Sequence, residues 1–435
     1  MRKRIMKIGK RFVIVLSLSF LLFGWRMQAC SMYKITADGK TMVGCNEDAW
    51  RTTSKIWFEN AVRPNEYAAA FTGSREVSSN KTAPQSGMNE KGLSFSRLVA
   101  YYPKQSPSAL NRIEITDEVE YLTDILHSCA TVEEVKSYIE EYNRSVFSED
   151  VFIYIDRTGK YLVVEPYELI EGNEAYYVLS NFCPSITDND KARKLERYRK
   201  GEDFLKTHPL QASLSFCAAL SDSMHVCRSR NGDGTLLSSI WDTQEGWVNL
   251  YFYHSFESSI RFNLAEELLK GDHSFNIPEL FPNNKEFQRL ESYKTPFNTP
   301  VLRVALVVLG GMLTLLSLLF GIGLLWNRAL SAFSVLLISV HNLLLTAYLF
   351  VLATHIYIFY FDAPYQHYSS LTISASSYLP FLLLISFIPF TKFTIVRVSS
   401  REVKSWTKTL LVANNFIYLM LIVGFAYWGL YSVWN

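Results

Sequence analysis

Two kinds of hydrophobic patterning meet near residue 300 of this 435-residue chain. Before it, short alternating runs and helical periods are punctuated by turn residues. After it come four unbroken apolar runs, Val304–Trp326, Ser331–Tyr360, Leu371–Phe390 and Leu410–Trp434, none of which contains Asp, Glu, Lys or Arg. Each is long enough to cross a hydrocarbon core of about 30 Å. The pattern therefore predicts an ordinary globular unit followed by a block of four membrane-spanning helices.

Within the first part, SMYKIT and TMVGC flank Asp38-Gly39, the pattern of a tight β-hairpin. Residues 86–100 read as a turn followed by a strand, with Gly92 at the position needing an unusual backbone angle. Residues 117–142 carry the period of two helices, the second capped by Thr131 with Glu134 completing a capping box. VFIYID and YLVVEPY form a hairpin around Arg157-Thr158-Gly159, and YYVLSNF is a further strand. KARKLERYRKGEDFLK reads as one charged surface helix and SLSFCAAL as a short buried one. TLLSSIWD and VNLYFYH make a third hairpin, and FNLAEELLKG is a helix stopped by Gly271. Hairpins, then helices, then hairpins indicate an α+β fold with antiparallel sheets covered by helices. The proline-rich stretch from 272 to 300 reads as a linker into the membrane.

The N-terminus has the layout of an export signal. Basic residues from Arg2 to Arg11 precede an apolar run, Phe12–Phe23, and small Ala29 stands directly before Cys30. The expected organisation is thus a signal peptide over 1–29, a globular domain over 30–271, a linker over 272–300 and the membrane block over 301–435. Loop charges give an orientation independently. With the domain outside, the loop holding Asp362 is also outside, while Arg328 and the group Lys392, Arg397, Arg401, Lys404 and Lys408 face the cytoplasm. Polar residues inside the apolar runs (His341, Asn342, His355, Asn414, Asn415) are expected to bond between helices.

Charge adds exclusions. With 43 basic and 41 acidic residues there is no single-sign field to attract nucleic acid. The six cysteines show no CxxC and the eight histidines no HExxH, so no metal site is expected. In an exported domain the cysteines can form disulfides, and Cys217 with Cys227 is one pairing open to them.

The chemistry is expected at the processing boundary. Cleavage before Cys30 would put thiol and free α-amine on one residue, and an amine with a pKa of about 7.7–8.0 can accept the thiol proton. Such a nucleophile needs a carboxylate to orient the amine and donors for the oxyanion. Asp48, eighteen residues on in GCNEDAW, lies where the hairpin folds back beside its start. Asn46, two residues earlier on the same strand face, is a candidate for orienting substrate or thiol. A competing use of Cys30 is lipidation, although MQAC is a poor lipobox and four helices make a lipid anchor redundant.

Taken in order, Cys30, GCNEDAW, GMNEKGLSFS, VLSNFCP, TLLSSIWDTQEGWVNLYFYH and FNLAEELLKG resemble the choloylglycine hydrolase and acid-amidase-like families, which include bile salt hydrolases, penicillin V acylases and isopenicillin N acyltransferases. The resemblance spans about residues 30–271. It implies an N-terminal-nucleophile (Ntn) hydrolase fold, a four-layer αββα sandwich, that cleaves linear carbon–nitrogen amide bonds of small N-acyl compounds without a cofactor. It makes Cys30 the nucleophile, Asp48 the amine-orienting aspartate and Asn181 in VLSNFCP the oxyanion-hole asparagine. The sequence departs from bile salt hydrolases at Cys45, where their GRNxD motif has arginine, which argues against bile-salt specificity. The family's second asparagine is absent after GMNEKG, where Val99 or Tyr101 stands, and Arg228 or Arg230 would be its later arginine. The alternative to an enzyme is a non-catalytic sensor or binding module that retains this fold.

Overall fold

The computed structural model describes residues 30–48, 54–73, 75–76, 82–105, 112–227, 234–292, 300–326, 330–355, 358–359, 363–365 and 370–431. The expected signal peptide, Arg228 and Arg230 lie outside these.

Fourteen strands build two large antiparallel sheets. In chain order they begin with β1 (Ser31–Ala37), β2 (Lys40–Asp48), β3 (Lys55–Glu59), β4 (Ala69–Gly73), β5 (Ser86–Asn89) and β6 (Ser94–Val99). Then come β7 (Asp150–Ile155), β8 (Tyr161–Val164), β9 (Leu169–Gly172) and β10 (Tyr176–Leu179). The last four are β11 (Thr235–Asp242), β12 (Trp247–Phe252), β13 (Ile260–Asn263) and β14 (His273–Asn276). One sheet has the order β10-β1-β2-β11-β12-β13, the other β9-β8-β7-β6-β5-β4-β3-β14.

Strand alternation sends each sheet's side chains to two different cores. Met32, Val43, Leu237 and Trp241 from the first sheet meet Ile56, Ala70, Met88, Leu98 and Ile153 from the second in one buried cluster between the sheets. The outer face of the first sheet (Tyr33, Ile35, Met42, Val178, Ile240) packs on Leu205 of one helix and Phe216, Cys217 and Leu220 of another. The outer face of the second (Phe71, Phe95, Phe152, Tyr154, Leu162) packs on Leu122, Ile125, Val135 and Ile139. The covering helices are α1 (Glu118–Ser128) and α2 (Val132–Glu140) on one side, and α3 (Glu196–Thr207) and α4 (Leu214–Met224) on the other. The result is the four-layer αββα arrangement.

Local expectations translate directly. The first hairpin pairs Ser31 with Asn46 through Ala37 with Lys40, and its turn places Asp38 at φ 52° and Gly39 at φ 75°. Gly92 sits at φ 82°. The Thr131–Glu134 capping box is formed.

Two segments differ. The charged stretch 191–206 is not one helix: a short turn of helix, Asn189–Ala192, ends at Arg193, and α3 starts only after Leu195, whose extended backbone breaks the period. The first part of the stretch read as linker is β14, which pairs with β3 from His273–Phe58 to Asn276–Lys55. Ile277 and Phe287 beyond it are buried in the inter-sheet core. Proline punctuation there marks turns rather than an excursion, because the open edge of β3 offers unpaired backbone groups that a short strand can satisfy.

Four helices, over Val301–Gly323, Ala332–Thr354, Leu371–Ser399 and Ser405–Tyr427, are long and apolar enough to cross a membrane. The third runs past Phe390 and the fourth begins before Leu410, so Lys392, Arg397 and Lys408 lie on helix ends rather than in a loop. Arg397 occupies a last turn, where a cation complements the helix dipole. The buried amides bond between helices: Asn342 Nδ2 donates to Asn414 Oδ1 at 2.8 Å, and the Tyr418 hydroxyl donates to Asn342 Oδ1 at 2.6 Å. His341 Nε2 is 3.3 Å from Ser386 Oγ, and Asn415 meets Thr391 and Thr394.

Candidate active site

Cys30 stands immediately before β1, 4 % exposed. Ser31 pairs with Asn46, so one step further along the ladder Cys30 faces Glu47. Directly paired residues project from the same face of a sheet. The Cys30 sulfur therefore lies between the sheets, where it accepts a hydrogen bond from Gln85 Nε2 at 3.3 Å and one from the Asp48 backbone N–H. Gln85 is anchored by a second bond, Nε2 to the Arg97 carbonyl at 2.6 Å. The Cys30 carbonyl accepts from Ser180 Oγ at 3.3 Å.

Asp48 ends β2 with its carboxylate on the opposite, helix-covered face. Its Oδ2 accepts from Arg197 Nη1 at 2.6 Å and its Oδ1 from Thr235 Oγ1 at 2.6 Å. Thr235 is the cross-strand partner of Asp48, and its Oγ1 also takes the Val226 backbone N–H at 2.9 Å. Asn181, just after β10, donates from Nδ2 to the Val99 carbonyl at 2.8 Å, while its Oδ1 lies 3.4 Å from both Arg197 Nη1 and Ser180 Oγ. Arg197 thus links Asp48 to Asn181, and all three are nearly buried.

Asn46, on the same strand face as Asp48, reaches the helix layer. Its Nδ2 donates to the Ser221 carbonyl of α4 at 2.9 Å, so it ties the first sheet to the helix layer and points away from the thiol. The alternation that puts Asn46 and Asp48 on one face puts Cys45 and Glu47, with Cys30, on the other. Cys45 is fully buried there, and Cys30, Cys45, Cys129, Cys183 and Cys217 are free thiols, so Cys217 forms no bond with Cys227. Among the described residues no group of three or more His, Cys, Asp and Glu side chains is spaced to hold a metal.

Burial pushes the Cys30 thiol up to about 12, helped by the negative charges of Asp48 and Glu47 and opposed by the Asp48 N–H and Arg197. The resting thiol is therefore protonated, and attack on a carbonyl requires a base. Burial also lifts the Glu47 carboxyl to about 7, against the hydrogen bonds of Thr72 and Ser86.

Arg197, Gln85, Glu47 and Thr235 are parts of this site that pattern reading passes over. Arg197 had a signal. With Gly201 and Leu205 it forms the buried i, i+4, i+8 stripe of α3, so a cation sits on the face that packs inward. Gln85 and Thr235 had none, because they become neighbours of the hairpin only through sheet pairing and layer stacking.

No family model matches the sequence, and no curated protein matches it. Solved structures similar to the chain include two altered forms of the conjugated bile acid hydrolase from Clostridium perfringens. One is a mutant (16 % identity, 59 % of this chain and 98 % of that chain, TM-score 0.43) and the other a variant (16 %, 59 % and 97 %, 0.43). Penicillin V acylase from Agrobacterium tumefaciens is also similar (13 %, 55 % and 86 %, 0.41).

Proposed function

We propose that the chain is a membrane-tethered cysteine amidase of the Ntn type, acting on linear amide bonds of small N-acyl compounds. Cys30 attacks the amide carbonyl once processing has freed its α-amine, and that amine carries the thiol proton. A thioester forms, the amine product leaves, and water or another amine resolves the acyl-enzyme. Asn181 supplies a side-chain donor to the oxyanion, with its remaining Nδ2 hydrogen, and Asp48 orients the amine. No cofactor enters this chemistry.

The observation that carries the reading is the position of Cys30. It stands at the head of an interior strand, its sulfur between two stacked sheets and within the field of the Asp48–Arg197 pair, which in turn reaches Asn181. A structural cysteine has no need of a buried carboxylate, guanidinium and amide around it. The four apolar helices support the tether, and the cluster of Lys and Arg around the junction of the last two supports an extracytoplasmic domain.

Cys30→Ala and Cys30→Ser are expected to abolish turnover of N-acyl amino acids and related amides by the full-length protein in detergent. Turnover equal to the parent's would sink the proposal. Intact mass of the mature chain should show an unmodified Cys30 as the first residue; a lipidated Cys30 or an uncut leader would remove the base.

A further inference from the structure

One donor on the nucleophile has no part in the amine-based mechanism. Gln85 stands immediately before β5, 8 % exposed. Its backbone is pinned twice: its N–H donates to the Thr72 carbonyl and its own carbonyl accepts the Arg97 N–H, each at 2.7 Å. The side chain adds two more bonds. Nε2 donates to the Arg97 carbonyl at 2.6 Å and to the Cys30 sulfur at 3.3 Å. A carboxamide nitrogen carries two hydrogens, so one is spent on the strand and the other lies on the thiol. Arg97 is itself held firmly. Its buried guanidinium binds Asp150 through Nε at 2.9 Å and Nη2 at 3.0 Å, and Glu118 through Nη2 at 2.9 Å.

Asn181 is moored in the same way. Within a strand, the N–H and C=O of one residue leave on one side, and those two residues further on share that side. The pairing of β5 with β6 ends at Ser86–Ser96. The Arg97 N–H still meets Gln85, so the Arg97 and Val99 carbonyls both turn to the β5 side. They take Gln85 Nε2 and Asn181 Nδ2, the latter at 2.8 Å. Two carboxamides thus hang from alternate carbonyls of one strand, each with one N–H to spare, and that of Gln85 is already on the sulfur.

The oxygen that gains charge during attack is two bonds from that sulfur, through the carbonyl carbon. As a sulfur lone pair becomes the C–S bond, the sulfur becomes a thioether, a weak acceptor, while the oxygen becomes an anion, a strong one. A donor 3.3 Å from the sulfur changes acceptor by a small rotation. Being fixed beforehand, it costs no reorganisation at the moment of reaction.

We propose that Gln85 is a catalytic donor whose Nε2–H passes from the Cys30 sulfur to the oxyanion, forming with Asn181 a two-carboxamide oxyanion site. The inference rests on the amidase reading and adds a residue to it. The Cys30 S–H proton goes to the α-amine, the sulfur lone pair forms the C–S bond, and the carbonyl π pair moves onto oxygen. When the adduct collapses, that pair re-forms C=O, the C–N bond breaks, and the amine's proton goes to the leaving nitrogen. Both Gln85 Nε2–H bonds stay intact throughout.

The test compares two reactions of one thiol, in the full-length protein in detergent and a Cys227→Ser background. Hydrolysis of N-acyl amino acids builds an oxyanion. Alkylation by iodoacetamide displaces iodide at a saturated carbon and builds none. Gln85→Met and Gln85→Leu remove the donor while filling its space differently. Each should lower kcat about a hundredfold, the effect of deleting one oxyanion donor. KM and the rate of Cys30 alkylation, read by mass, should stay within a few-fold of the parent's, which also shows that the site has folded. An undiminished kcat would overturn the proposal. So would turnover and alkylation falling together in both variants, since Gln85 would then only hold the thiol.

A second measurement needs no amide. Hexanal adds to a thiol as a hemithioacetal, with an oxygen in the oxyanion's place and no bond to nitrogen, and so shields Cys30 from iodoacetamide. Gln85→Met should need about tenfold more hexanal for the same protection, the loss of one hydrogen bond. Protection equal to the parent's overturns the role of Gln85. Protection that depends on Gln85 in a parent that turns over no amide would defeat the amidase reading and leave Gln85 standing as the donor.

Discussion

At the scale of single residues, Arg197 decides more of the site than its place in a run of charges suggests. Its guanidinium reaches both Asp48 and Asn181, and it is the nearby cation that lowers the Cys30 thiol. Removing one member of a buried ion pair leaves the other uncompensated, at a cost of about 3–5 kcal/mol. Arg197→Leu should therefore lower the unfolding midpoint of the globular domain and slow turnover. Arg197→Lys should recover part of the stability but less of the rate, since a single ammonium cannot reproduce the planar fork. Thermal unfolding and turnover of the two variants check this; a leucine variant as stable as the parent would mean that Asp48 is satisfied without Arg197.

At the scale of elements, the first hairpin does two jobs because its strands alternate. One face carries Cys30, Cys45 and Glu47 into the inter-sheet space; the other carries Asn46, Asp48 and Tyr33 into the helix layer. Tyr33 crosses Gly44 on the neighbouring strand, and its hydroxyl meets the Cys217 carbonyl at 2.6 Å and Ser221 Oγ at 2.8 Å. A Cβ at Gly44 would lie 2.1 Å from Tyr33 Cζ, so the ring occupies the space of the missing side chain. Gly44→Ala is expected to destabilise by roughly 1–3 kcal/mol, the usual effect of overpacking. Combined with Tyr33→Ala it should cost less than the two changes summed, as denaturation midpoints of the single and double variants would show. Full additivity would indicate that the strands separate rather than clash.

At the scale of the whole molecule, the globular part extends beyond Gly271. With β14 on the edge of the larger sheet and Phe287 in the inter-sheet core, the globular part reaches at least to Phe287 along the stretch read as a linker. Orientation remains the claim of the loop charges, and it is open to direct labelling. In a Cys227→Ser background, Asp362→Cys should react with a membrane-impermeant maleimide on intact cells, and Lys404→Cys only after permeabilisation. The opposite pattern would place the globular domain in the cytoplasm and deny it an export-dependent cut.

Much of this was legible along the chain because it is local. A period of two or 3.6, a cap or an Asp-Gly turn acts over a few residues, so the hairpins, the Thr131 cap and the four apolar helices follow from pattern. The neighbourhood of Cys30 and Asp48 followed too, since one short hairpin brings them together. For Asn46 the strand face is readable, but the α4 carbonyl that covers it is not. The inward turn of Arg197, the addition of His273–Asn276 to an edge, and the hydroxyl cluster on Glu47 depend on segments tens to hundreds of residues apart. Such contacts form only when sheets and helices stack, and each layer's position is set by packing across the whole core rather than by any local signal. The sequence alone determined that Cys30 and Asp48 would share a hairpin; the tertiary structure decided which charges surround them.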